Sequence, residues 1–297
     1  MKLTDEDLEC LCLLAKRAAR DAGDYIRSRA GEHGEARIKK SGDTPASQVV
    51  TEVDLESQRI ILNVLGDSID DYGLGLLTEE SVDDSSRLNS DYFWCIDPLD
   101  GTLSFVEGKP GYSVSIALVS REGKAVVGVI YDPTKNEIFH ATRGSGAFKD
   151  GKLIGHSGSG KGDSLYWLMD RSMKSVPDYP IVEKAVQRVA EQAGLSEVIP
   201  IDYVGAALNA SWVAQSPFAV YFKLPKPTEG GGSFWDFAAS SCLLEEWGQP
   251  ATDVLGAPLD LNRAGSTFMN EKGVIYASNI KLAEGVQQIC RSLTESP

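Results

Sequence analysis

One short stretch constrains this chain more than any other: Tyr92-Phe-Trp-Cys-Ile-Asp97-Pro98-Leu99-Asp100-Gly101-Thr102. Its apolar start predicts a buried strand that delivers Asp97 to its end. Pro98 and Gly101 predict a tight turn that folds Asp100 back beside Asp97. Two carboxylates held that close repel each other unless a cation lies between them. Just upstream, Leu76-Leu77-Thr78-Glu79-Glu80 repeats the device, an apolar strand ending in acids. Each motif alone is also sound turn chemistry. Their recurrence after two apolar strands shifts the weight towards a shared site. Hard oxygen ligands with no Cys or His at hand select Mg²⁺ or Mn²⁺ over zinc. The amides of Gly101 and Thr102, at a possible helix start, suit a phosphate.

The acidity extends to the whole chain. Its 297 residues carry 29 Lys and Arg against 43 Asp and Glu, a formal charge of −14. Such a surface repels nucleic acid and anionic lipid, so neither is an expected partner. No apolar run reaches the length of a transmembrane helix. The acidic start, MKLTDEDLEC, has no apolar core of a secretory signal. The five cysteines are an odd number without a CxxC pair, and the three histidines are scattered. A cytoplasmic protein with reduced thiols and no histidine zinc site is expected.

Thr4-x-x-Asp7 opens a helix whose apolar positions run from Leu8 to Ile26. Residues 31–47 are polar and predict a mobile loop, from which Lys39 and Lys40 could reach a site or simply be solvated. A second helix runs from Thr51 and closes near Gly66. Short β-rich runs follow at Leu74–Thr78, Tyr92–Ile96, Ser113–Ser120, Ala125–Tyr131 and Glu137–Ala141, predicting an antiparallel sheet beside helices. Residues 143–163 are rich in Gly, Ser and Lys and predict a linker. Beyond it, helices are expected at Ile181–Ala193, Gly205–Gln215, Trp235–Trp247 and Lys281–Leu293. Strands are expected at Glu197–Ile201, Phe218–Lys223 and Val274–Ala277. The second half is therefore a smaller mixed α/β unit, and domains are expected at 1–150 and 151–297.

DPLDGT (97–102), with TEE (78–80) upstream and WDFAA (235–239) downstream, resembles the inositol monophosphatase superfamily. Val50-Thr-Glu-Val-Asp54, GSGAFKDG (144–151) and Gly205-Ala-Ala-Leu208 extend the likeness over most of the chain. The resemblance implies an α/β-layered α-β-α-β-α sandwich of the sugar-phosphatase kind. It implies a Mg²⁺-dependent, lithium-sensitive phosphomonoesterase that forms a homodimer, holds two or three ions and acts on a small phosphorylated substrate. By the same resemblance, Glu79, Asp97 and the Leu99 carbonyl would hold one ion. Asp97, Asp100 and Asp236 would hold a second, and Glu79 with Glu80 would help a third. Asp54, Glu79 and Thr102 would serve catalysis, activating the attacking water. Gly101, Thr102, Gly205, Ala206 and Glu229 would meet the substrate.

Asp54 and Asp236 have a blander role open to them. Thr51-x-x-Asp54 and Ser233-x-x-Asp236 both fit a capping box, and a helix start is also a rigid mount for a ligand. Small polyol or sugar phosphates such as inositol 1-phosphate are the expected substrates. Lys223 and Lys226 point instead to adenosine 3′,5′-bisphosphate. A non-catalytic metal- or phosphate-binding protein is the alternative from another class. Gly155–Gly162 imitates a nucleotide P-loop but has Gly162 where Ser or Thr is required, and reads as linker.

Overall fold

The computed structural model describes residues 2–31, 37–38, 49–50, 52–154 and 162–294. The expectations for Lys39 and Lys40, for the Thr51 cap and for the imitation P-loop fall outside them. Helix α1 (Asp5–Ser28) is followed by two-residue strands β1 (Arg37–Ile38) and β2 (Val49–Val50), then α2 (Glu52–Tyr72) and β3 (Gly75–Thr78). The one-turn α3 (Ser86–Asn89), β4 (Tyr92–Asp100) and the short α4 (Thr102–Val106) come next. Strands β5 (Ser113–Ser120), β6 (Ala125–Asp132), β7 (Glu137–Thr142), β8 (Gly146–Lys149) and β9 (Lys152–Leu153) complete a seven-stranded sheet of order β3-β4-β5-β6-β7-β8-β9.

The second sheet has order β11-β10-β12-β14-β13. It is built from β10 (Ser164–Leu168), β11 (Glu197–Ile201), β12 (Ala219–Lys223), β13 (Ala251–Thr252) and β14 (Val274–Ala277). Helices α5 (Tyr179–Gln192), α6 (Ala206–Gln215), α7 (Phe234–Glu246) and α8 (Ile280–Thr294) are threaded between these strands.

Alternation along the strands explains the layering. Trp94 and Ile96 of β4 join the core under α1 and α2, while Phe93 and Cys95 join the core under α6 and α7. On β12, Ala219 and Tyr221 face that same central core, while Val220 and Phe222 pack with residues of α5 and α8. Period-two alternation thus builds three cores in five layers, helix-sheet-helix-sheet-helix. The middle helices sit between two sheets, so they are buried nearly all round. Eight of the ten residues of α6, Ala206–Ser211 with Val213 and Ala214, are buried. A helix enclosed on every side has no solvent face to keep. The outer α1 instead shows one apolar stripe (Leu11, Ala15, Ala18, Ala22, Ile26) and the capping box expected at Thr4 and Asp7.

Three expectations are corrected. The first sheet is mixed, because β3 runs parallel to β4; the chain returns through α3 rather than through a hairpin. The expected linker is overturned over its first half. Residues 146–153 form β8 and β9, joined by Asp150 and Gly151, both at positive φ (50° and 75°). Asp-Gly between extended segments is the hairpin signal that marks this turn, and the Gly- and Ser-rich composition around it hid it. Helix α2 also runs past Gly66 to Tyr72, ahead of Gly73 at φ 60°. No helix among the described residues is long and apolar enough to cross a membrane.

Candidate metal centre

Strand β4 does more than carry Asp97 to a turn. It continues to Asp100, with an irregularity in its pairing with β5 between those two residues. In a regular strand, residues three apart face opposite sides; an extra residue in the pairing lets both carboxylates turn the same way. The turn follows at Gly101, whose φ is 84°. The start of α7 supplies the third acid from far along the chain. Carboxylate oxygens of Asp97, Asp100 and Asp236 lie within 4.8 Å of one another.

Each acid is fixed by its own donors. Asp97 accepts the Leu99 amide at 3.0 Å. Asp100 accepts the amides of Ala206 (3.0 Å) and Ala207 (2.9 Å) and sits 3.2 Å from Ser113 Oγ. It therefore occupies the positive end of α6, where unpaired backbone amides favour an anion. Only glycine fits at 205, because a Cβ there would lie 2.3 Å from Asp100 Oδ2. Asp236 accepts the Ser233 amide at 2.6 Å, the return half of a capping box, so the cap and the cluster coexist in one side chain.

The electrostatics follow from burial. Asp97 is 1% exposed, and burial together with Glu79, Asp100 and Asp236 pushes its carboxyl well above the usual range. Burial lifts Asp100 to about 6 against the pull of the Ala207 and Ala206 amides. Burial lifts Asp236 to about 7, opposed by Lys223 and reinforced by Asp100 and Glu79. Buried like charges with too little compensation are stable only with protons or cations among them. An all-oxygen donor set, with no Cys or His among the described residues lining the cavity, fits a hard divalent ion such as Mg²⁺.

The cavity has a volume of about 940 Å³. Glu79, Leu99, Gly101, Thr102, Gly205 and Ala206 line it beside the three aspartates. Glu79 is bonded through its side chain to Asp97. Behind the cluster, Thr102 Oγ1 lies 2.9 Å from Asp54 Oδ1 and 3.0 Å from the Leu99 carbonyl, so its single proton is shared between two acceptors. Asp54 projects from the first turn of α2, is 1% exposed and accepts the Thr102 hydroxyl. Gln58, one turn further on, steadies the acidic segment. Its carbonyl accepts the Glu80 amide at 3.2 Å and its amide donates to Ser81 Oγ at 2.8 Å.

Glu80 and Glu229 are not among the residues lining the cavity, and Glu229 is exposed. The Ala206 amide lines it but is already engaged by Asp100. On the opposite wall, sequence analysis named Lys223 and Lys226 but missed Asp170 and Arg171. There Lys223 Nζ meets Asp170 at 2.7 Å, Asp170 also accepts Tyr221 OH at 3.0 Å, and Arg171 reaches Glu107 at 2.7 Å and Ser104 at 3.0 Å. It missed Arg87 too. This arginine is 1% exposed, donates to Asp83 at 2.8 Å and Asn262 at 2.7 Å, and stacks over Phe234 at the start of α7. Asp83 and Arg87 stand four apart, spacing that suits a helical ion pair, but nothing in the sequence marks the distant Asn262 and Phe234.

Comparison with known proteins agrees with this geometry. A model of the inositol monophosphatase family matches residues 7–295. The fructose-1,6-bisphosphatase/inositol-1-monophosphatase of Thermotoga maritima is 29% identical over 251 residues, 84% of this chain and 86% of its own. Nus factor SuhB of Escherichia coli is 30% identical over 244 residues, 82% of this chain and 85% of its own. The crystal structure of extragenic suppressor protein suhB from Bartonella henselae superposes with a TM-score of 0.72 at 27% identity, covering 95% of this chain and 98% of that one. The chain belongs to the inositol monophosphatase family, whose members are Mg²⁺-dependent phosphatases.

Proposed function

We propose that this member of the inositol monophosphatase family hydrolyses a small polyol or sugar phosphate, such as inositol 1-phosphate, by attack of water on phosphorus. The observation that carries the reading is the convergence of Asp97, Asp100 and Asp236, from two segments far apart in sequence, within 4.8 Å. Two or three Mg²⁺ ions, replaceable by Mn²⁺, would be held by Glu79, Asp97 and the Leu99 carbonyl, and by Asp97, Asp100 and Asp236, with Glu79 and the adjoining Glu80, itself outside the lining, helping a third. Such ions activate water near neutral pH and stabilise the leaving oxygen.

The chain's own residues do the rest. Thr102, its proton drawn towards Asp54 and Leu99 O, keeps oxygen lone pairs free to accept a hydrogen bond from the water. Glu79, which lines the cavity, takes up the proton that the water loses, while Asp54 behind it orients Thr102 towards that water. The amides of Gly101 and Thr102 bind phosphate oxygens. The name carried by the Thermotoga maritima relative, which joins a sugar bisphosphate and an inositol phosphate, supports the substrate class. The exposed Glu229 is a weaker candidate for substrate contact than Lys223 and Lys226, which line the cavity. Those lysines favour a second reading, adenosine 3′,5′-bisphosphate as substrate.

Phosphate release from a panel of monoesters, with and without Mg²⁺ and with added Li⁺, tests the reaction. Release that requires Mg²⁺ and falls with Li⁺ is expected. No release from any ester under Mg²⁺ would favour a non-catalytic binding protein. Inositol 1-phosphate against adenosine 3′,5′-bisphosphate separates the two substrates. A homodimer is proposed for the assembly, checked by light scattering on the purified chain.

A further inference from the structure

We infer that the Lys223–Asp170 ion pair is the specificity element for the alcohol half of the substrate, gripping two adjacent hydroxyl oxygens through one donor and one acceptor. The inference rests on the proposed phosphomonoesterase activity and adds a site to it.

The pair is built rather than incidental. Lys223 ends β12 with its side chain 13% exposed, and its ammonium lies 5.3 Å from the Phe237 ring centre. Phe237 follows Asp236, so the pair stands next to the acid cluster. Burial opposes the charge on Lys223, yet Asp170 first and then Asp236 hold its pKa above the ordinary lysine value. Asp170 is pinned from two sides, by Lys223 on Oδ2 and Tyr221 on Oδ1. Both partners line the cavity.

Neither group is exhausted by these bonds. An ammonium has three donors and a carboxylate about four acceptor positions. The pair therefore offers the cavity a donor and an acceptor side by side, 2.7 Å apart. Adjacent oxygens of a gauche diol sit at similar hydrogen-bond spacing. One hydroxyl donates to Asp170 while its neighbour accepts from Lys223.

Charge argues for a neutral diol over a second phosphate. The lysine is matched by its own aspartate. Arg171 is matched by Glu107. Asp202, also on this wall, is engaged by Lys174 at 2.7 Å. Apart from Glu79 and the three clustered aspartates, the described lining holds three acids (Asp83, Asp170, Asp202) and three bases (Arg171, Lys223, Lys226), so it offers no excess positive charge to a second dianion. A site built to hydrogen-bond a hydroxyl discriminates strongly against analogues that lack it.

The test compares kcat/KM for inositol 1-phosphate, p-nitrophenyl phosphate and adenosine 3′,5′-bisphosphate in the intact protein with Mg²⁺. Lys223→Met, Asp170→Asn and their double variant are measured beside the wild type, each checked for a cooperative melt. The ratio of inositol 1-phosphate to p-nitrophenyl phosphate is expected to fall about tenfold in each single variant, mainly through KM for the polyol. The double variant should fall no further, because the pair acts as a unit. Tyr221→Phe, which removes only the outer bond to Asp170, should give a smaller fall and carries the test if Lys223→Met does not fold. A ratio unmoved within twofold in the folded variants overturns the inference while leaving the phosphatase reading intact. A selective loss of the bisphosphate instead makes the pair an anion subsite and overturns it as well. A wild type that releases no phosphate from any of the three fails at the proposed reaction itself.

Discussion

The two walls of the cavity handle buried charge in opposite ways. On the near wall, Asp97, Asp100 and Asp236 crowd within 4.8 Å with backbone amides as their main company. On the far wall, Asp170 meets Lys223, Glu107 meets Arg171 and Asp202 meets Lys174. The far wall is finished without an ion; the near wall is not. Crowded acids raise one another's pKa and wait for a cation, whereas paired acids hold shape and present matched donors and acceptors. The difference separates a place for chemistry from a place for recognition.

The largest effect should come from neutralising the near wall. Asp97→Asn is expected to lower kcat/KM by about a thousandfold or more, since one amide replaces a carboxylate shared among the cluster. The melting temperature without metal should hold or rise, because a repulsion is removed. Near-normal turnover would take Asp97 out of the mechanism. Next comes Thr102→Val, which keeps the shape but removes the hydroxyl between Asp54 and Leu99 O. A loss of about a hundredfold in kcat with little change in KM is expected from steady-state kinetics.

Metal and pH sharpen the contrast without mutation. Folded-state values of about 6 for Asp100 and about 7 for Asp236 exceed the ordinary 3.8, so protonation favours the fold. For chelated protein this contribution is full below about pH 4 and is lost as pH rises through 6 and 7. Thermal melts in EDTA should show that decline, and Mg²⁺ at neutral pH should reverse it by several degrees. Equal melts with and without Mg²⁺ would deny the near wall its ion.

The smallest effect lies outside the cavity lining, at His140, which stacks on Phe148 and whose pKa is lowered to about 4, mainly by burial. The folded state prefers the neutral ring. The stabilisation is therefore present above the ordinary 6.5 and is lost as pH falls towards 4, a slope opposite to that of the cluster. His140→Gln should flatten the acid limb of stability measured by urea melts and leave turnover unchanged.

Much of this was legible in the chain itself. Strand-then-acid patterns located Glu79, Asp97 and Asp100; the capping signal marked Asp236 only as a helix start, and the family resemblance pointed to it as a ligand. The outer helix α1 was read with its cap because an amphipathic stripe and a box of two residues are local facts. β8 and β9 were missed because composition outweighed a two-residue turn signal. Asp170 was missed because its neighbourhood, a strand end before a one-turn helix, has no pattern of its own.

What the sequence determined alone was the supply of parts: which strands end in carboxylates, which helices begin with them, and that hard oxygen would be the only ligand chemistry on offer. These follow from neighbours along the chain. Which acids share a cavity and which meet a lysine was decided by the sandwich. Two sheets must close on α6 and α7 to exclude water, and that closure brings Asp236 to Asp97 and fixes Asp100 at the start of α6. Burial then made proximity costly, and the cost is what distinguishes a metal cluster from an acidic surface.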